Sequence, residues 1–310
     1  MIPVRNDAPY LDRCLRAVER QTHPPDEIVV VDNASTDGLV AVLARHPGVR
    51  CVREPVRGVA VAAATGYDAA RGDLILRCDA DSVPAATWVE RHVRVLSEAL
   101  ARTGEETGVD VEPWTGVETD AGAELDAGTD GAAEAERGAA AGSSARTHDR
   151  TGRRSEFPPG SDTDVARGRE VVAVSGIARF GPRLPVLGRM TGAAYITSYR
   201  CVAGTALGHW ALWGSNMAFT RAWWEQVSPE VHRDPRVHDD FDLSFRVRPH
   251  QRVLLDPGNA AVVSWRAVVS PVRIRRQLRM ATATLLVNWA DERPWIRWER
   301  RLAWRKGGRR

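Results

Sequence analysis

The stretch Leu74-Ile-Leu-Arg-Cys-Asp-Ala-Asp-Ser-Val-Pro84 joins a short apolar run to two carboxylates that stand one residue apart. The apolar run predicts a buried strand over Asp73–Cys78, and Pro84 starts the helical pattern that follows. In an extended chain the side chains of residues i and i+2 point the same way, so Asp79 and Asp81 face one spot. Two like charges are unfavourable there unless a cation lies between or near them. The pattern therefore predicts a strand that ends at a cation site.

The chemistry of this site favours a hard divalent metal. Carboxylate oxygens suit Mg²⁺ and Mn²⁺, and Mg²⁺ is usually held by one or two carboxylates together with substrate phosphates. The alternative for Asp79 and Asp81 is an acidic loop in water. Their position directly after a buried strand favours the metal site, because ligands bind beyond the carboxyl ends of the strands in an α/β sheet.

Strand and helix patterns alternate three times before residue 100. Glu27–Val31 is apolar without alternation, as expected of a strand that is covered on both faces. Helical periodicity follows this strand and the next two, which predicts helices over residues 36–45, 59–71 and 85–99. We therefore predict an α/β fold, a single Rossmann-like domain with a mostly parallel central sheet.

A change of composition divides the chain. Residues 101–168 are rich in Gly, Ala, Glu, Asp, Thr and Ser, and residues 105–136 carry eleven acids and no base. Such a segment buries too little apolar surface to offset its ordering entropy, so we predict a disordered acidic insertion. Ordered patterns resume in residues 169–266, and residues 267–310 form C-terminal helices rich in Arg and Trp.

Charge and cysteine content limit the classes of partner and compartment. The net charge is +3, and nearly all the positive charge is arginine, with Lys306 the single lysine. This arginine bias is typical of a skewed coding composition, so we expect no nucleic-acid partner. The four scattered cysteines predict reduced thiols of a cytoplasmic protein. No apolar run reaches the roughly 18 residues of a membrane span.

Three further polar stretches follow strands or open helices. Asp32–Gly38 follows a strand and has the residues of either a ligand site or a helix-capping turn. Trp213–Met217 permits close backbone approach to a ligand, and Gly-Ser-Asn is also ordinary turn chemistry. His238–Asp242 opens a helix, where a carboxylate either compensates the dipole or acts as a general base. Taken one at a time, these stretches leave both interpretations open.

The order of these stretches resembles that of the family 2 glycosyltransferases, which have the A-type glycosyltransferase fold. The likeness covers residues 2–99 and about 170–265. The matching stretches are Ile2-Pro-Val-Arg-Asn6, Val31-Asp-Asn-Ala-Ser-Thr-Asp37, Gly72-Asp73, Asp79-Ala-Asp81, Gly214-Ser-Asn216 and Asp239-Asp-Phe-Asp-Leu-Ser-Phe-Arg246.

The resemblance implies that residues 1–100 bind a nucleotide-sugar donor, with a UDP-sugar as the default. Asp32 is expected at the nucleoside base, and Asp79 near the ribose or the metal. Asp81 is expected to ligate the Mn²⁺ or Mg²⁺ that bridges the diphosphate. The other expected donor-binding residues line the same pocket: Pro3, Arg5, Asn6, Gly214, Ser215 and Asn216.

The resemblance also implies that residues 169–266 bind the acceptor and carry the catalytic base. Asp240 is expected to take the proton of the acceptor hydroxyl, with Asp239 beside it as a supporting carboxylate. The implied reaction is an inverting transfer to a glycan or a lipid-linked acceptor. Arg276-Gln-Leu-Arg-Met280 lacks the tryptophan found at this spacing in processive synthases, which favours transfer of a single sugar.

Two departures from the family pattern concern the N-terminal part. Where the family often has an Arg-Asn pair, this chain reads Ala63-Ala-Thr-Gly66. One donor contact is therefore missing, or is supplied by Arg53 or Arg57. Only Met1 precedes Ile2, so we expect a shortened first strand or a start codon upstream of the assigned one.

The C-terminal helix admits two interpretations. Trp295, Trp298 and Leu302 fall on one helical face with arginines around them, as in an interfacial helix attracted to an anionic membrane surface. A helix packed on the domain, with an arginine-rich outer face, has the same composition. The expected location is therefore cytoplasmic, with a peripheral position at the inner face of the cell membrane under the first interpretation.

Two other functions compete with glycosyl transfer. A sugar-phosphate nucleotidyltransferase would need a Gly-rich loop after the first strand, and Arg5-Asn-Asp-Ala-Pro9 has no glycine. A non-catalytic nucleotide- or RNA-binding protein gives no reason for the positions of Asp79, Asp81 and Asp240.

Overall fold

The structure, a computed structural model, describes residues 1–107, 169–180, 194, 197–199, 201–266 and 270–307. The described residues before 108 and after 168 belong to one unit of the chain. The predicted acidic insertion lies outside the described residues except at its start. There the helix expected to end at residue 99 continues to Thr107.

The first sheet is built from three parallel strands, as the alternating pattern predicts. Each strand is followed by a helix that packs on the sheet. The strands are β1 (Ile2–Val4), β2 (Ile28–Asp32) and β3 (Val49–Arg53), in the order β1-β2-β3, and the helices are α1 (Ala8–Glu19), α2 (Leu39–Leu43) and α3 (Val59–Ala69). β1 has three residues, a short strand.

Helix α1 shows why this half folds as its sequence suggests. Its apolar residues recur every three or four positions, and Leu11, Cys14, Leu15 and Val18 are all buried. They pack in one core cluster with residues of β1 and β2. The periodic apolar face thus fixes the helix against the sheet.

The second sheet is mixed, and its five strands come from both sides of the gap. Only β6 and β8 run parallel, and the other neighbouring pairs are antiparallel. The order is β4-β7-β6-β8-β5, with β4 (Leu74–Arg77), β5 (Val83–Pro84), β6 (Glu170–Phe180), β7 (Met217–Thr220) and β8 (Gln251–Val263). The Met1 amino group donates to the Leu76 carbonyl at 2.8 Å, so β1 abuts β4 and the two sheets meet there. The α/β fold with a parallel sheet is confirmed, with antiparallel pairing concentrated in the second sheet.

Strand β8 corrects one expectation. The apolar runs Val253–Asp256 and Ala260–Trp265 predict two strands, with the turn residues Pro257-Gly258 between them. The structure has one strand whose register jumps from the pair Ser175–Leu255 to the pair Ile177–Ala260. The skipped residues form a bulge, in which the Asp256 carboxylate accepts the Gly258 N–H at 3.0 Å.

Three helices and a helical segment at residues 201–207 complete the core around the second sheet. Helix α4 (Trp88–Thr107) contacts β6 and β8, α5 (Arg221–Val227) follows β7, and α6 (Asp239–Phe245) lies against α3. Every residue of α6 is buried, including three aspartates. A buried helix this acidic requires cationic or N–H partners, which the candidate site supplies.

The chain's last two helices are α7 (Pro271–Asp291) and α8 (Pro294–Gly307). Arg297 and Arg301 of α8 are buried and donate to the carbonyls of Phe245 and Val247, at the end of α6. Trp295 and Leu302 are exposed on the other side. No helix within the described residues is long and apolar enough to cross a membrane.

Candidate active site

The carboxylates singled out from the sequence are presented by strand ends and one helix start. Asp32 ends β2, while Asp79 and Asp81 follow β4. Asp239 and Asp240 open α6, with His238 as its N-cap residue. β4 joins the first sheet to the second, so residues from both parts of the chain meet beyond its end.

Asp79 and Asp81 each have a guanidinium partner. Arg77 Nη2 lies 3.1 Å from Asp79 Oδ1, and Arg266 Nη2 lies 2.8 Å from Asp81 Oδ2. Ser215 Oγ donates to the second oxygen of Asp79. Burial raises the pKa of Asp81, as does the charge of Asp79, while Arg266 opposes the shift. The cationic environment predicted for this pair is thus provided in part by two arginines.

Arg266 ties the segment after β8 to the N-terminal half. Its guanidinium donates to Asp7 Oδ1 at 3.0 and 2.9 Å and lies 3.7 Å from the centroid of the Tyr10 ring. Burial opposes its charge, but the hydrogen bonds to Asp81 and Asp7 raise its pKa. Arg266 therefore stays charged over the mouth of the site.

Arg77 connects the end of β4 to the start of α6. Its Nη2 also lies 3.0 Å from Asp239 Oδ2, and its side chain is 3 % exposed. Burial opposes the positive charge, yet Asp239 and then Asp79 raise the pKa of Arg77 above its usual value. Burial also raises the pKa of Asp239, to about 6, with Arg77 opposing and Asp240 adding to the shift.

Asp240 has donors on both oxygens. Oδ2 accepts the Gly214 N–H at 2.7 Å, and Oδ1 lies 3.1 Å from His238 Nδ1. Burial works against ionisation of Asp240, but the hydrogen bond and charge of His238 outweigh it and lower the pKa. The pKa of His238 is raised, since Asp240 outweighs the effect of burial there. The two form a charged pair, so Asp240 is held as a carboxylate.

The same turn also offers a second group of potential metal ligands. Ligand atoms of His238, Asp239 and Asp240 lie within 4.8 Å of one another. The sequence prediction assigned the two aspartates to proton transfer and did not consider His238. Imidazole and carboxylate are both good ligands for divalent transition metals.

The residues expected at the nucleoside lie in or beside two loops, one after β1 and one after β2, which are joined by hydrogen bonds. Pro3 pairs with Val31 in the sheet register, which sets β1 beside the Asp32 end of β2. Asp32 Oδ1 accepts the Ser35 N–H at 2.8 Å, and Asn6 Oδ1 accepts the Thr36 N–H at 2.7 Å. Asn6 adopts the left-handed conformation with φ of 53°, which asparagine tolerates. Arg5 is exposed beside it.

The Gly214-Ser-Asn216 turn packs directly behind the carboxylates. A Cβ on Gly214 would lie 1.5 Å from Arg77 Nη1, so only glycine allows this approach. Asn216 is fully buried. Its amide makes four hydrogen bonds within the protein, to Trp88 Nε1, His92 Nε2 and the carbonyls of Ile177 and Asn259.

The prediction that Asn216 contacts the donor is therefore corrected. Its amide oxygen accepts from Trp88 and His92, and its amide nitrogen donates to two carbonyls, so no polar atom is left for a ligand. Asn216 supports the turn from behind and sets the position of Ser215. The structure leaves Gly214 and Ser215 as the residues of this turn that face the carboxylates.

Comparison with known proteins finds similar sequences for part of the chain. Residues 1–102 match the model of glycosyl transferase family 2. Over this segment, the chain therefore resembles glycosyltransferase family 2. It is 31 % identical over 118 residues to the glycosyltransferase AglE of Haloferax volcanii and 32 % identical over 84 residues to the chondroitin synthase of Escherichia coli.

These curated relatives are matched in part only. The matches cover 36 % of this chain and 36 % of AglE, and 26 % of this chain and 12 % of the chondroitin synthase. The mannosyltransferase PcManGT from Pyrobaculum calidifontis, solved with GDP-Man and Mn²⁺, is similar in fold, with a TM-score of 0.50 and 20 % identity over 94 % of this chain and 62 % of that chain. This likeness supports the glycosyltransferase A-type fold for the described residues.

Three site residues were missed by sequence reasoning. Arg77 and Arg266 bind the paired carboxylates, and His238 binds Asp240. Arg77 carried a signal, because a charge inside the run Leu74-Ile-Leu-Arg-Cys78 has to be compensated once the strand is buried. Arg266 carried none, since its partners are distant in sequence.

Proposed function

We propose that this protein is a glycosyltransferase that moves a single sugar from a nucleoside-diphosphate sugar to an acceptor hydroxyl with inversion. One observation carries the proposal. Arg77 joins Asp79, on the proposed donor side, to Asp239, beside the candidate base, so both groups of carboxylates lie around one guanidinium. A nucleotide-binding protein without catalytic activity has no use for the second group.

The transfer forms one bond and breaks one bond at the anomeric carbon. The acceptor oxygen attacks from the face opposite the diphosphate, and the bond to the phosphate oxygen breaks. The nucleoside diphosphate leaves with the electron pair, and the acceptor proton passes to a carboxylate. An acceptor hydroxyl is a poor nucleophile until such a base removes its proton.

Asp240 is the proposed base, with Asp239 as the supporting carboxylate. The Gly214 N–H and His238 fix the orientation of the Asp240 carboxylate and keep it ionised. Asp239 adjoins it and is held by Arg77. Removal of the Asp240 carboxylate is expected to abolish proton acceptance while leaving the donor side in place.

Asp81 and Asp79 are the proposed ligands of Mn²⁺ or Mg²⁺. Their fit rests on the donor set, which is carboxylate oxygen at the end of a buried strand, as hard divalent cations require. His238, Asp239 and Asp240 form a further group of potential ligand atoms, connected to Asp79 through Arg77. A bound divalent ion would stabilise the negative charge that develops on the leaving diphosphate.

The proposed nucleoside-binding residues are Asp32 and the loop residues Pro3, Arg5 and Asn6. Gly214 and Ser215 are the proposed residues on the diphosphate side. The hydrogen bonds from Ser35 and Thr36 to Asp32 and Asn6 hold this wall rigid. A UDP-sugar is the default donor. A GDP-sugar is the second donor to be assayed, because the mannosyltransferase of similar fold was solved with GDP-Man. In these terms residues 1–100 form the donor half and residues 169–266 the acceptor half.

The proposed acceptor is a glycan or a lipid-linked sugar, and a peripheral membrane position favours the lipid. Every residue from Pro271 to Arg276 is exposed, and the first nine residues of α7 carry four arginines and no acid. Val272 and Leu278 are 67 and 63 % exposed among those arginines. Such a surface complements an anionic bilayer. The proposed location is therefore cytoplasmic, at the inner face of the cell membrane.

The glycosyltransferase proposal is tested by hydrolysis and transfer with a panel of nucleotide sugars, each with Mn²⁺ and with Mg²⁺. Asp81→Ala and Asp240→Asn are expected to lower turnover at least a hundredfold. Glu225→Ala, an exposed carboxylate on α5, is the matched control. The proposal fails if the full chain turns over no donor, or if the two site variants match the control.

The membrane proposal is tested by co-sedimentation with phosphatidylglycerol and phosphatidylcholine vesicles. The full chain is expected to bind the anionic vesicles, and Arg275→Glu with Arg279→Glu is expected to remove that binding. Arg13→Glu with Arg20→Glu, on exposed positions of the N-terminal half, is the control. Equal sedimentation with both lipids, or none, contradicts the membrane proposal and leaves the transferase proposal standing.

A further inference from the structure

Arg77 is the most deeply buried cation of the candidate site. It ends strand β4 with a side chain that is 3 % exposed, and one atom, Nη2, approaches both Asp79 Oδ1 and Asp239 Oδ2. The two carboxylates belong to different parts of the chain. A single guanidinium therefore sets the distance between the donor side and the acceptor side of the pocket.

The space around Arg77 is shaped to hold it. The Gly214 backbone packs against the guanidinium so closely that an added Cβ would lie 1.5 Å from Nη1 and 2.5 Å from Cζ. The Gly214 N–H in turn donates to Asp240 Oδ2 at 2.7 Å. A displacement of Arg77 would thus move Asp79 and Asp239 directly and Asp240 through Gly214.

The other arginines that the sequence suggested do not supply this buried positive charge. Arg53 and Arg57, which the sequence suggested as substitutes for the cation missing from α3, are both exposed. Neither forms an ion pair within the described part of the chain. Ala63 of α3 is fully buried and brings no charge. The buried cation of this site comes from β4.

From these contacts we propose that Arg77 is a positioning residue for the transfer reaction, an inference that rests on the proposed function. It holds Asp79 at the diphosphate and Asp239 beside the base in one arrangement. Without it, Asp79, Asp239 and Asp240 would repel one another in a buried pocket. Its effect falls on the rate of the bound complex, because the residue acts through carboxylates and does not touch the sugar.

The first experiment separates kcat from KM in donor turnover. Arg77→Met is expected to lower kcat more than a hundredfold with less than a fivefold change in donor KM, and Arg77→Lys is expected to restore at least a tenth of the lost rate. Arg91→Met is the matched control, because Arg91 also pairs with a buried aspartate, Asp256, at 2.8 Å. Equal loss in Arg77→Met and Arg91→Met, or no recovery with lysine, overturns the proposal.

The second experiment does not need activity. Urea midpoints are measured for Arg77→Met, Asp239→Asn and the double variant, with Arg91→Met and Asp239→Asn as the control cycle. If Arg77 holds Asp239, the double variant loses less than the sum of the single losses, while the control cycle is additive. Additive losses in both cycles contradict the proposal. A coupled cycle in a chain that turns over no donor would instead keep the contact and refute the glycosyltransferase function.

Discussion

The proposed donor half (residues 1–100) and the proposed acceptor half (residues 169–266) differ in how their strands pair. The first has a parallel sheet whose strands pair with near neighbours in sequence order, and a family model matches it. The second pairs β6 with both β7 and β8 and borrows β4 and β5 from the other half. Sequence patterns describe the first half well because its contacts are local, whereas the second half depends on pairings that no local pattern records.

The difference extends to the candidate site. Asp32 and Asn6 are held by the N–H groups of Ser35 and Thr36, both within residues 1–100. Asp240 is held by Gly214 and His238 within its own part of the chain, whereas Asp239 pairs with Arg77 of β4, which comes from the N-terminal part. The contacts around Asp32 and Asn6 thus form within the N-terminal part alone, whereas the ion pair of Asp239 forms only when both parts of the chain are assembled.

The largest expected effects are on kinetics, where one variant should lose catalytic rate and the other should lose donor affinity. Asp240→Asn is expected to lower kcat roughly a thousandfold, because a general base contributes about a hundred- to ten-thousandfold. Asp32→Asn is expected to raise the donor KM about tenfold, the loss of one hydrogen bond of about 1.4 kcal/mol, with little change in kcat. Steady-state kinetics of both variants checks this. A kcat loss in Asp32→Asn equal to that in Asp240→Asn would break the division between the halves.

A smaller effect should appear in folding stability. Asn216→Ala removes an amide with four hydrogen bonds, and we expect the free energy of unfolding to fall by about 3 kcal/mol. Asn33→Ala is the counterpart in the donor half, where the amide bonds only to residues Glu54, Val56 and Gly58. We expect a loss of about 2 kcal/mol there. Urea unfolding checks both values, and a larger loss at Asn33 would contradict the view that long-range contacts stabilise the acceptor half.

The smallest effect concerns pH. Burial lowers the pKa of His92 to about 4, against which the hydrogen bond with Asn216 acts only in part. A histidine with a depressed folded pKa is neutral in the fold, so its contribution is complete above pH 6.5 and is lost as pH falls from 6.5 towards 4. One proton corresponds to at most about 1.4 kcal/mol per pH unit.

His92→Gln tests this dependence, because glutamine can donate to Asn216 and does not titrate. Urea unfolding of both proteins at pH 7.5, 6 and 5 is expected to show a shallower loss of stability in the variant. Parallel curves for the two proteins would remove His92 as a source of acid sensitivity.

Individual residues show how far the sequence predicts this protein. The burial of Leu11, Cys14 and Leu15 and the strand before Asp79 follow from periodicity, and both are observed. The ion pair between Arg77 and Asp239 does not follow, because the two residues lie on opposite sides of the 108–168 segment and no local pattern records their contact.

The same limit applies to the errors. Turn composition at Pro257-Gly258 predicted a break, yet pairing with β6 carries β8 through it as a bulge. Asn216 looked like a ligand contact because small polar residues also line binding sites, and only the packing of Trp88 and His92 shows that its amide is occupied. In both cases tertiary contacts overrode a correct local preference.

Helix α8 buries two arginines, Arg297 and Arg301, while Trp295 and Leu302 are exposed. In a library of random substitutions, positions 297 and 301 should therefore tolerate fewer replacements than positions 295 and 302. On an ordinary surface helix, the arginines would tolerate more replacements than the large apolar residues. Exchanging Arg297 or Arg301 for another polar residue would leave backbone carbonyls at the end of α6 without donors, whereas exchanging Trp295 for serine would cost the fold little. Hydropathy alone would rank those substitutions in the wrong order.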